Sequence, residues 1–395
     1  MNSFQYYAPT KILFGLDTEG EVGKQVKAFG GTKVLIHYGS ERVRTTGLLG
    51  TIEESLQNEG IPFVELGGVV ANPLLSKVYE GIQLGKEEGI DFIVAVGGGS
   101  VIDSAKAIGY GMIADYDVWE IFEKKQKPTG CIPIGVVLTI AAAGSEMSNS
   151  SVITNDTLGL KRGSNSDYCR PRFAIMNPKL TVTLPDYQTQ CGCADIMMHT
   201  MERYFTNKGN MTLTDEIAEG LLRTVKKNAC ILHENPEDVE ARGEVMWASS
   251  LSHNGLTECG NGGNDFVCHS LEHELSAPPY NVAHGAGLAA VWGTWARYVL
   301  KDCTHRLKKF ALNVMEVENR GSDEEIALRG IEAMEAHFRA MGMPTSIEEL
   351  GITLSEEDCK ELAKRAALGC GGKRGSAKVF YEEDFYQVYL LARKH

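Results

Sequence analysis

Long apolar runs, a secretory leader and an excess of positive charge are all missing from this 395-residue sequence. No stretch approaches the ~18 consecutive apolar residues of a membrane-spanning helix, and the N-terminus lacks the basic and apolar regions of a signal peptide. The formal net charge of −13 opposes binding to nucleic acid or to an anionic membrane. We therefore expect a cytoplasmic protein with neither kind of partner.

A disulfide framework is also missing. The ten cysteines show neither framework-like spacing nor paired CxxC motifs, which argues against a secreted scaffold and a structural zinc site. Even Cys191 and Cys193, which form a CGC step, are more typical of packing residues than of ligands. Reduced thiols agree with a cytoplasmic location.

The length predicts two domains, because a single hydrophobic core stops growing below this size. In the first half, short apolar runs alternate with amphipathic stretches, which predicts βαβ units and a parallel sheet. A polar run at 141–167 interrupts the alternation, and helical patterns dominate after Pro185. We expect an α/β domain over 1–187 and an all-α domain over 188–395. The expected strands include 33–39, 62–68, 92–99 and 131–139.

A glycine turn follows the apolar run that starts at Phe92. Glycine lets backbone N–H groups approach a phosphate, and the positive end of a helix dipole favours the negative charge. Gly97, Gly98 and Gly99 are therefore candidate contacts of a dinucleotide pyrophosphate, with Ser100 expected at the helix N-cap. The alternative is a tight turn without a ligand, since the motif is not GxGxxG and does not follow the first strand.

The residues at the end of the expected strand 33–39 bear on the choice between NAD(H) and NADP(H). A ribose 2′-hydroxyl is commonly held by an acid, whereas a 2′-phosphate needs small donors and an arginine. Gly39, Ser40 and Arg42 favour NADP(H). Glu41 is the counter-argument, because it can accept a hydrogen bond from the 2′-hydroxyl of NAD(H).

Five potential metal ligands occupy two short windows of the second half. Asp195 and His199 are spaced i, i+4, so they share one helix face. His269, His273 and His284 follow about seventy residues later, the first two again at helical spacing. One carboxylate with two or three imidazoles suits Fe²⁺, Zn²⁺, Mn²⁺ or Ni²⁺ and leaves an open position for catalysis. The spacing does not choose among the five groups.

Several motifs in order resemble the iron-containing (group III) alcohol dehydrogenase family, closest to its NADPH-dependent butanol dehydrogenase and aldehyde reductase branch. The resemblance implies an α/β dinucleotide domain before an all-helical metal domain, in a dehydroquinate synthase-like architecture, and a homodimer in which the N-terminal segment 1–15 is an edge or strand-exchange element. The motifs are GGGSVIDSAKAIG (97–109), TIAAAGSE (139–146), NPKLTVTLP (177–185), DIMMH (195–199) and H-x3-H-x10-H-G-x-G (269–287).

The resemblance also assigns roles to individual residues. It implies metal ligation by Asp195, His199, His269 and His284, and it leaves His273 beside the substrate and the nicotinamide. The implied coenzyme contacts are Gly39, Ser40, Asn72, Gly97, Gly98, Ser100, Asp103, Thr139 and Lys161. Two positions depart from the family pattern, Ala143 where threonine is usual and Ser148 where asparagine is common, and they put the hydrogen bonding of the nicotinamide in doubt.

The implied activity is the metal-dependent, NAD(P)H-linked reduction of small aldehydes to primary alcohols and the reverse oxidation, with NADP(H) preferred. The metal, Fe²⁺ or Zn²⁺ before Mn²⁺ or Ni²⁺, polarises the substrate oxygen for hydride transfer with nicotinamide C4. His273 is the expected proton donor. Two alternatives are a polyol dehydrogenase or lyase of the same architecture and a catalytically silent nucleotide- or metal-binding relative.

Overall fold

The structure is a computed structural model that describes residues 2–209 and 211–394. The described chain divides into two compact units. The α/β unit comprises residues 8–183, and the helical unit comprises residues 184–394 together with residues 2–7. The expected fold class, a parallel-sheet α/β part followed by a helical part, is confirmed. The domain ranges 1–187 and 188–395 stay a prediction.

A parallel six-stranded sheet lies at the centre of the α/β unit. The described strands of this unit are β1 (Lys11–Phe14), β2 (Val34–Tyr38), β3 (Phe63–Leu66), β4 (Phe92–Gly97), β5 (Ile134–Leu138), β6 (Ser150–Asn155), β7 (Leu160–Asn165) and β8 (Phe173–Met176). The sheet has the order β1-β8-β5-β4-β2-β3, and all its neighbouring strands are parallel. Every residue of β2, β4 and β5 is buried, as near-continuous apolar runs in parallel sheets predict.

Helices connect the first five strands, as the alternating sequence pattern predicts. Those of the α/β unit are α1 (Val22–Ala28), α2 (Arg42–Thr45), α3 (Leu48–Asn58), α4 (Leu75–Glu88), α5 (Gly99–Ile113) and α6 (Trp119–Phe122). α5 contributes a buried face that includes Val101, Ile102 and Ile108. It follows β4 directly and packs against it, so its N-terminus lies at the carboxyl edge of the sheet.

The polar run at 141–167 contains an antiparallel hairpin, which the sequence did not indicate. β6 and β7 pair from Ser150 opposite Asn165 to Asn155 opposite Leu160. The hairpin packs against α4 and α5. Its strands are rich in serine and asparagine, so they lack the apolar alternation that predicts a strand.

The helical unit is built around α7, in which almost every residue from Thr189 to Tyr204 is buried. Its helices are α7 (Asp186–Tyr204), α8 (Thr212–Glu234), α9 (Val239–Ser252), α10 (Val267–Ser276), α11 (His284–Tyr298), α12 (Thr304–Asn313), α13 (Asp323–Ala340), α14 (Glu356–Gly369) and α15 (Glu382–Ala392). α11 packs against both α7 and α10. Among the described residues, no helix is both long enough and apolar enough to cross a bilayer.

One glycine allows α7 and α11 to approach closely. A Cβ atom on Gly285 would lie 2.0 Å from the carbonyl oxygen of Cys191. No real side-chain carbon tolerates that distance, so only glycine fits here without a backbone shift. The contact matters because Gly285 follows His284, a candidate ligand, directly.

Candidate metal and coenzyme sites

The α/β unit has a crevice of the kind that binds nucleotides. The chain order of the sheet reverses between β2 and β4, because β3 lies on one side of β2 and the later strands lie beyond β4. Ligands of open parallel sheets bind outside the carboxyl ends of the strands at such a reversal. Gly39 and Ser40 follow β2, Gly97 to Gly99 end β4 and begin α5, and Thr139 follows β5. The topology thus brings these sequence-predicted residues to one edge of the sheet.

The glycine turn is tightly packed. A Cβ atom on Gly97 would lie 2.5 Å from Val101 Cγ2, and one on Gly98 would lie 2.9 Å from Ile140 Cβ. The expectation that Ser100 is the N-cap is wrong, because α5 begins at Gly99 and Gly98 is its N-cap in an extended conformation. Val101 and Ile102 donate to the Gly98 carbonyl. Ser100 instead lies in the first helical turn.

Asp103 and Lys106 of α5 hold the segment after β5. The Asp103 carboxylate accepts hydrogen bonds from the Ser145 hydroxyl and from the Val152 N–H at 2.9 Å. Burial raises the pKa of Asp103. The fully buried Lys106 ammonium has five oxygens of Ser145, Ser148 and Ser150 within 2.7–3.1 Å. The unusual Ser148 therefore accepts from Lys106 with its hydroxyl.

Asn72 and Lys161 are far apart in sequence but adjacent in the structure. Lys161 Nζ donates to Asn72 Oδ1 at 2.9 Å. Asn72 has a φ of 54°, a left-handed conformation that asparagine tolerates better than most residues. Lys161 lies on β7 of the unexpected hairpin, so the hairpin explains how this distant residue reaches Asn72.

Both arginines at the end of β2 already have protein partners. Arg42 donates to the Thr183 carbonyl at 2.6 Å. Arg44 forms ion pairs with Glu65 and Glu41. The carboxylates of Glu41, Glu53 and Glu65 thus surround Arg44.

Four sequence-predicted ligands converge in the helical unit. His199 Nε2 lies 3.3 Å from Asp195 Oδ1, one turn along α7. His269 Nε2 on α10 lies 3.6 Å from the same oxygen, and His284 Nε2 at the start of α11 lies 3.7 Å from it. Ligand atoms bound to one ion at ~2.1 Å in tetrahedral geometry are about 3.4 Å apart. The spacing of these atoms fits one divalent ion.

Two of these atoms are buried without a hydrogen-bond partner among the described residues, Asp195 Oδ1 and His269 Nε2. Leaving such a buried polar atom unsatisfied costs about 1–3 kcal/mol. Asp195, His199 and His269 also have ligand atoms that all lie within 4.8 Å of one another. The donors therefore fit a transition-metal ion that would satisfy them.

Burial and neighbouring charges shift the pKa values of His199 and His269 in opposite directions. Burial, followed by the neighbouring rings of His253 and His269, lowers the pKa of His199 well below its usual range. Burial also lowers the pKa of His269, but the carboxylates of Glu202 and Asp195 outweigh it and raise that pKa to about 9. Negative charge is thus concentrated around His269.

His273 lies beside this cluster. Its ring centroid is 6.3 Å from that of His269 and 5.9 Å from that of His284. Ligand atoms of Glu272, His273 and His284 also lie within 4.8 Å of one another. The distinction between His273 as a proton donor and His273 as a ligand stays a prediction.

Three neighbours of the candidate ligands were not indicated by the sequence analysis. Glu202 and Glu272 contact the Nδ1 atoms of His269 and His284. His253 Nδ1 lies 2.8 Å from His199 Nδ1. Both glutamates are three residues from a candidate ligand on a helix, and this HxxE spacing in H-T-M-E and H-S-L-E was the available signal.

Comparison with known proteins places the chain in a family. The family profile "Iron-containing alcohol dehydrogenase" matches residues 9–178, and the profile "Fe-containing alcohol dehydrogenase family, C-terminal" matches residues 189–390. The chain belongs to the iron-containing alcohol dehydrogenase family. The expected family and the expected class, an iron-type NAD(P)-dependent alcohol dehydrogenase, are confirmed.

Relatives of this iron-containing alcohol dehydrogenase extend over nearly the whole chain. NADH-dependent butanol dehydrogenase A of Clostridium acetobutylicum is 37% identical over 98% of this chain and 99% of its own. NADPH-dependent aldehyde reductase YqhD of Escherichia coli is 34% identical over 89% of this chain and 90% of its own. The crystal structure of NADH-dependent butanol dehydrogenase A from Thermotoga maritima is 37% identical, with a TM-score of 0.95 over 100% of this chain and 99% of that one.

Proposed function

We propose that this enzyme reduces small aldehydes to primary alcohols and catalyses the reverse oxidation, with a divalent metal held by Asp195, His199, His269 and His284. The observation that carries the proposal is the convergence of three imidazole Nε2 atoms to within 3.3–3.7 Å of Asp195 Oδ1. The relatives named butanol dehydrogenase and aldehyde reductase support the substrate class. Fe²⁺ and Zn²⁺ both suit this mixture of oxygen and nitrogen donors.

The chemistry divides between bound groups and side chains. When bound, the metal supplies a Lewis acid for the substrate oxygen, and the reduced nicotinamide supplies the hydride. Asp195 and the three imidazoles would hold and orient the cation, and an ion that accepts more than four ligands would take the substrate oxygen as well. His273, half-buried beside His269 and His284, is the proposed catalytic acid that delivers the proton to the product oxygen.

We propose that the α/β unit holds the coenzyme at the crevice between β2 and β4. The N-terminus of the fifteen-residue helix α5 offers N–H groups and a positive dipole end to the pyrophosphate. The other contacts lie at the strand ends or on the hairpin that reaches them. The proposed contacts are Gly39, Ser40, Asn72, Gly97, Gly98, Gly99, Ser100, Asp103, Thr139 and Lys161.

We propose that the enzyme prefers NADH, although the sequence pattern favours NADP(H). That pattern depended on Arg42 as a cation for the 2′-phosphate, but Arg42 donates to Thr183 and Arg44 pairs with Glu65 and Glu41. Glu41 is exposed although it pairs with Arg44, and a carboxylate here would repel a 2′-phosphate and accept a hydrogen bond from a 2′-hydroxyl. The two butanol dehydrogenases named NADH-dependent support this choice, and the aldehyde reductase named NADPH-dependent opposes it.

A homodimer remains part of the proposal. β1 is an edge strand of the sheet, with Phe14 46% exposed, and an uncovered edge strand is a template for pairing with another chain. Phe4, Tyr6 and Tyr7 are also about half exposed. Met1, the first residue of the segment expected to mediate dimerisation, lies outside the described residues. Light scattering after gel filtration tests the dimer.

Elemental analysis of anaerobically purified enzyme, combined with a substrate panel, tests the proposed function. We expect about one equivalent of iron or zinc per chain. We also expect butyraldehyde to oxidise NADH faster than glycerol reduces NAD. Faster oxidation of glycerol would indicate a polyol dehydrogenase instead. Coenzyme binding without turnover of any aldehyde by the metal-loaded protein would contradict an enzymatic role.

A further inference from the structure

Two buried carboxylates lie behind two of the candidate ligands. His269 directs Nε2 towards Asp195 and Nδ1 towards Glu202 Oε2. Glu202 is fully buried on α7, one turn beyond His199, and its other oxygen accepts from the Cys268 N–H at 2.7 Å. Glu202 therefore ties α7 to the first turn of α10 and fixes the orientation of the His269 ring.

The second carboxylate, Glu272 on α10, repeats the arrangement. Glu272 is fully buried on α10, one turn beyond His269, and its Oε2 contacts His284 Nδ1. Its Oε1 accepts from the Ser276 hydroxyl. A Cβ atom on Gly287 would lie 2.9 Å from Glu272 Cγ, so this glycine makes room for the Glu272 side chain beneath α11.

The neighbours of His199 differ. Its Nδ1 lies 2.8 Å from His253 Nδ1 and 3.4 Å from an Arg203 nitrogen. Neither of these neighbours is an anion, so among the described residues a carboxylate faces the Nδ1 atom of His269 and of His284 but not that of His199. The arrangement is therefore a specific feature of His269 and His284.

We propose that Glu202 and Glu272 are positioning residues that fix the tautomer and direction of His269 and His284 for metal binding. A carboxylate that accepts the Nδ1–H of an imidazole leaves the Nε2 lone pair free for a cation and increases its basicity. Without that partner, the proton can occupy Nε2 and block ligation. The inference rests on the proposed metal site and adds two residues that act through the ligands.

The proposal is tested by the zinc affinity of the variants Glu202→Gln and Glu272→Gln. Competition with a chromophoric chelator measures this affinity. Each variant is expected to bind Zn²⁺ roughly 10- to 100-fold more weakly, as loss of an outer carboxylate typically does. The matched control is Glu274→Gln, because Glu274 is equally buried on α10 but pairs with Arg365. That control should bind Zn²⁺ as tightly as the wild type.

Two further measurements distinguish a positioning role of Glu202 and Glu272 from a purely structural one. Cobalt-substituted Glu202→Gln and Glu272→Gln should show altered d–d absorption, whereas Glu274→Gln should not. If a glutamine variant does not fold, Glu202→Asp or Glu272→Asp keeps the charge on a shorter side chain, and Zn²⁺ affinity below that of the wild type is again expected. Unchanged affinity and spectra in folded variants would overturn the positioning role, whereas a wild type that binds no Zn²⁺ would overturn the proposed metal site itself.

Discussion

His269 Nε2 lies 3.6 Å from Asp195 Oδ1, and neither atom has a hydrogen-bond partner among the described residues. The two residues are on different helices, α10 and α7, and both are buried. Each such unsatisfied atom costs about 1–3 kcal/mol, and a cation bound between the two would remove that cost. The pair therefore supports the proposed metal site.

Replacement of Asp195 by asparagine removes the only charged oxygen proposed as a ligand. We expect loss of most of the bound metal and at least a ~100-fold fall in kcat/KM, because a Lewis acid supplies several kcal/mol of stabilisation to the transition state. Elemental analysis and aldehyde reduction measure both effects. His305→Ala, at an exposed position on α12, is the control, and full metal content in Asp195→Asn would contradict the ligand assignment.

His273→Ala separates a proton donor from a ligand. General acid catalysis contributes roughly 10²- to 10⁴-fold, so we expect kcat to fall by about 100-fold or more while the metal content stays unchanged. Steady-state kinetics and elemental analysis of the same preparation decide the matter. Loss of the metal would mean that His273 is a ligand, in the group that it forms with Glu272 and His284.

Glu41→Ala tests the proposed coenzyme preference. Removal of one exposed charge beside a 2′-phosphate is worth about 1 kcal/mol in water, so kcat/KM with NADPH should rise roughly 3- to 10-fold relative to NADH. Glu54→Ala, an exposed change of the same charge on α3, should leave the ratio unaltered. Wild-type enzyme that already prefers NADPH would support the original expectation from Gly39 and Ser40.

Gly285→Ala tests the close approach of α11 to α7. The added Cβ would lie 2.0 Å from the Cys191 carbonyl oxygen, and overpacking of this kind costs ~1–3 kcal/mol. We expect a lower free energy of unfolding in urea and weaker metal binding, because His284 is adjacent. In Gly220→Ala in α8, the new methyl group would meet only an Arg223 nitrogen at 3.9 Å, an ordinary contact, so this control should stabilise by ~0.5–1 kcal/mol. Equal stabilities for the two variants would contradict the packing argument.

Because His37 is buried, we expect the free energy of unfolding of the α/β unit to fall at acidic pH. Burial lowers its pKa to about 4, from 6.5, while its nitrogens contact the Leu66 carbonyl and the Ser104 hydroxyl at 2.9 Å. The unfolded state therefore binds more protons between pH 6.5 and 4, so stability is full above pH 6.5 and falls by ~3 kcal/mol towards pH 4. Urea unfolding of His37→Gln should show a shallower decline, and a slope equal to that of the wild type would count against this origin.

Much of the fold was predictable because its signals are local. The apolar runs that became β2, β4 and β5 are continuous in the sequence, and their alternation with amphipathic stretches predicted a parallel sheet. The hairpin β6–β7 was missed because its strands are mostly polar, and their few apolar side chains, Val152, Ile153 and Leu160, do not alternate along a strand. The N-cap of α5 was assigned to Ser100 instead of Gly98 because helix boundaries depend on backbone geometry that propensity does not resolve.

The sequence by itself determined the family and the five candidate ligands, since ligand types at helical spacing in two short windows are a local property. Tertiary structure alone decided that the imidazoles of His199, His269 and His284 converge on Asp195 Oδ1. It likewise decided which carboxylates lie behind them: Glu202 contacts His269 across 67 positions of the chain, and Glu272 contacts His284 across 12. It also decided that Arg42 and Arg44 already have partners. Contacts between separate helices and strands depend on packing, and packing is not encoded in the spacing of any one motif.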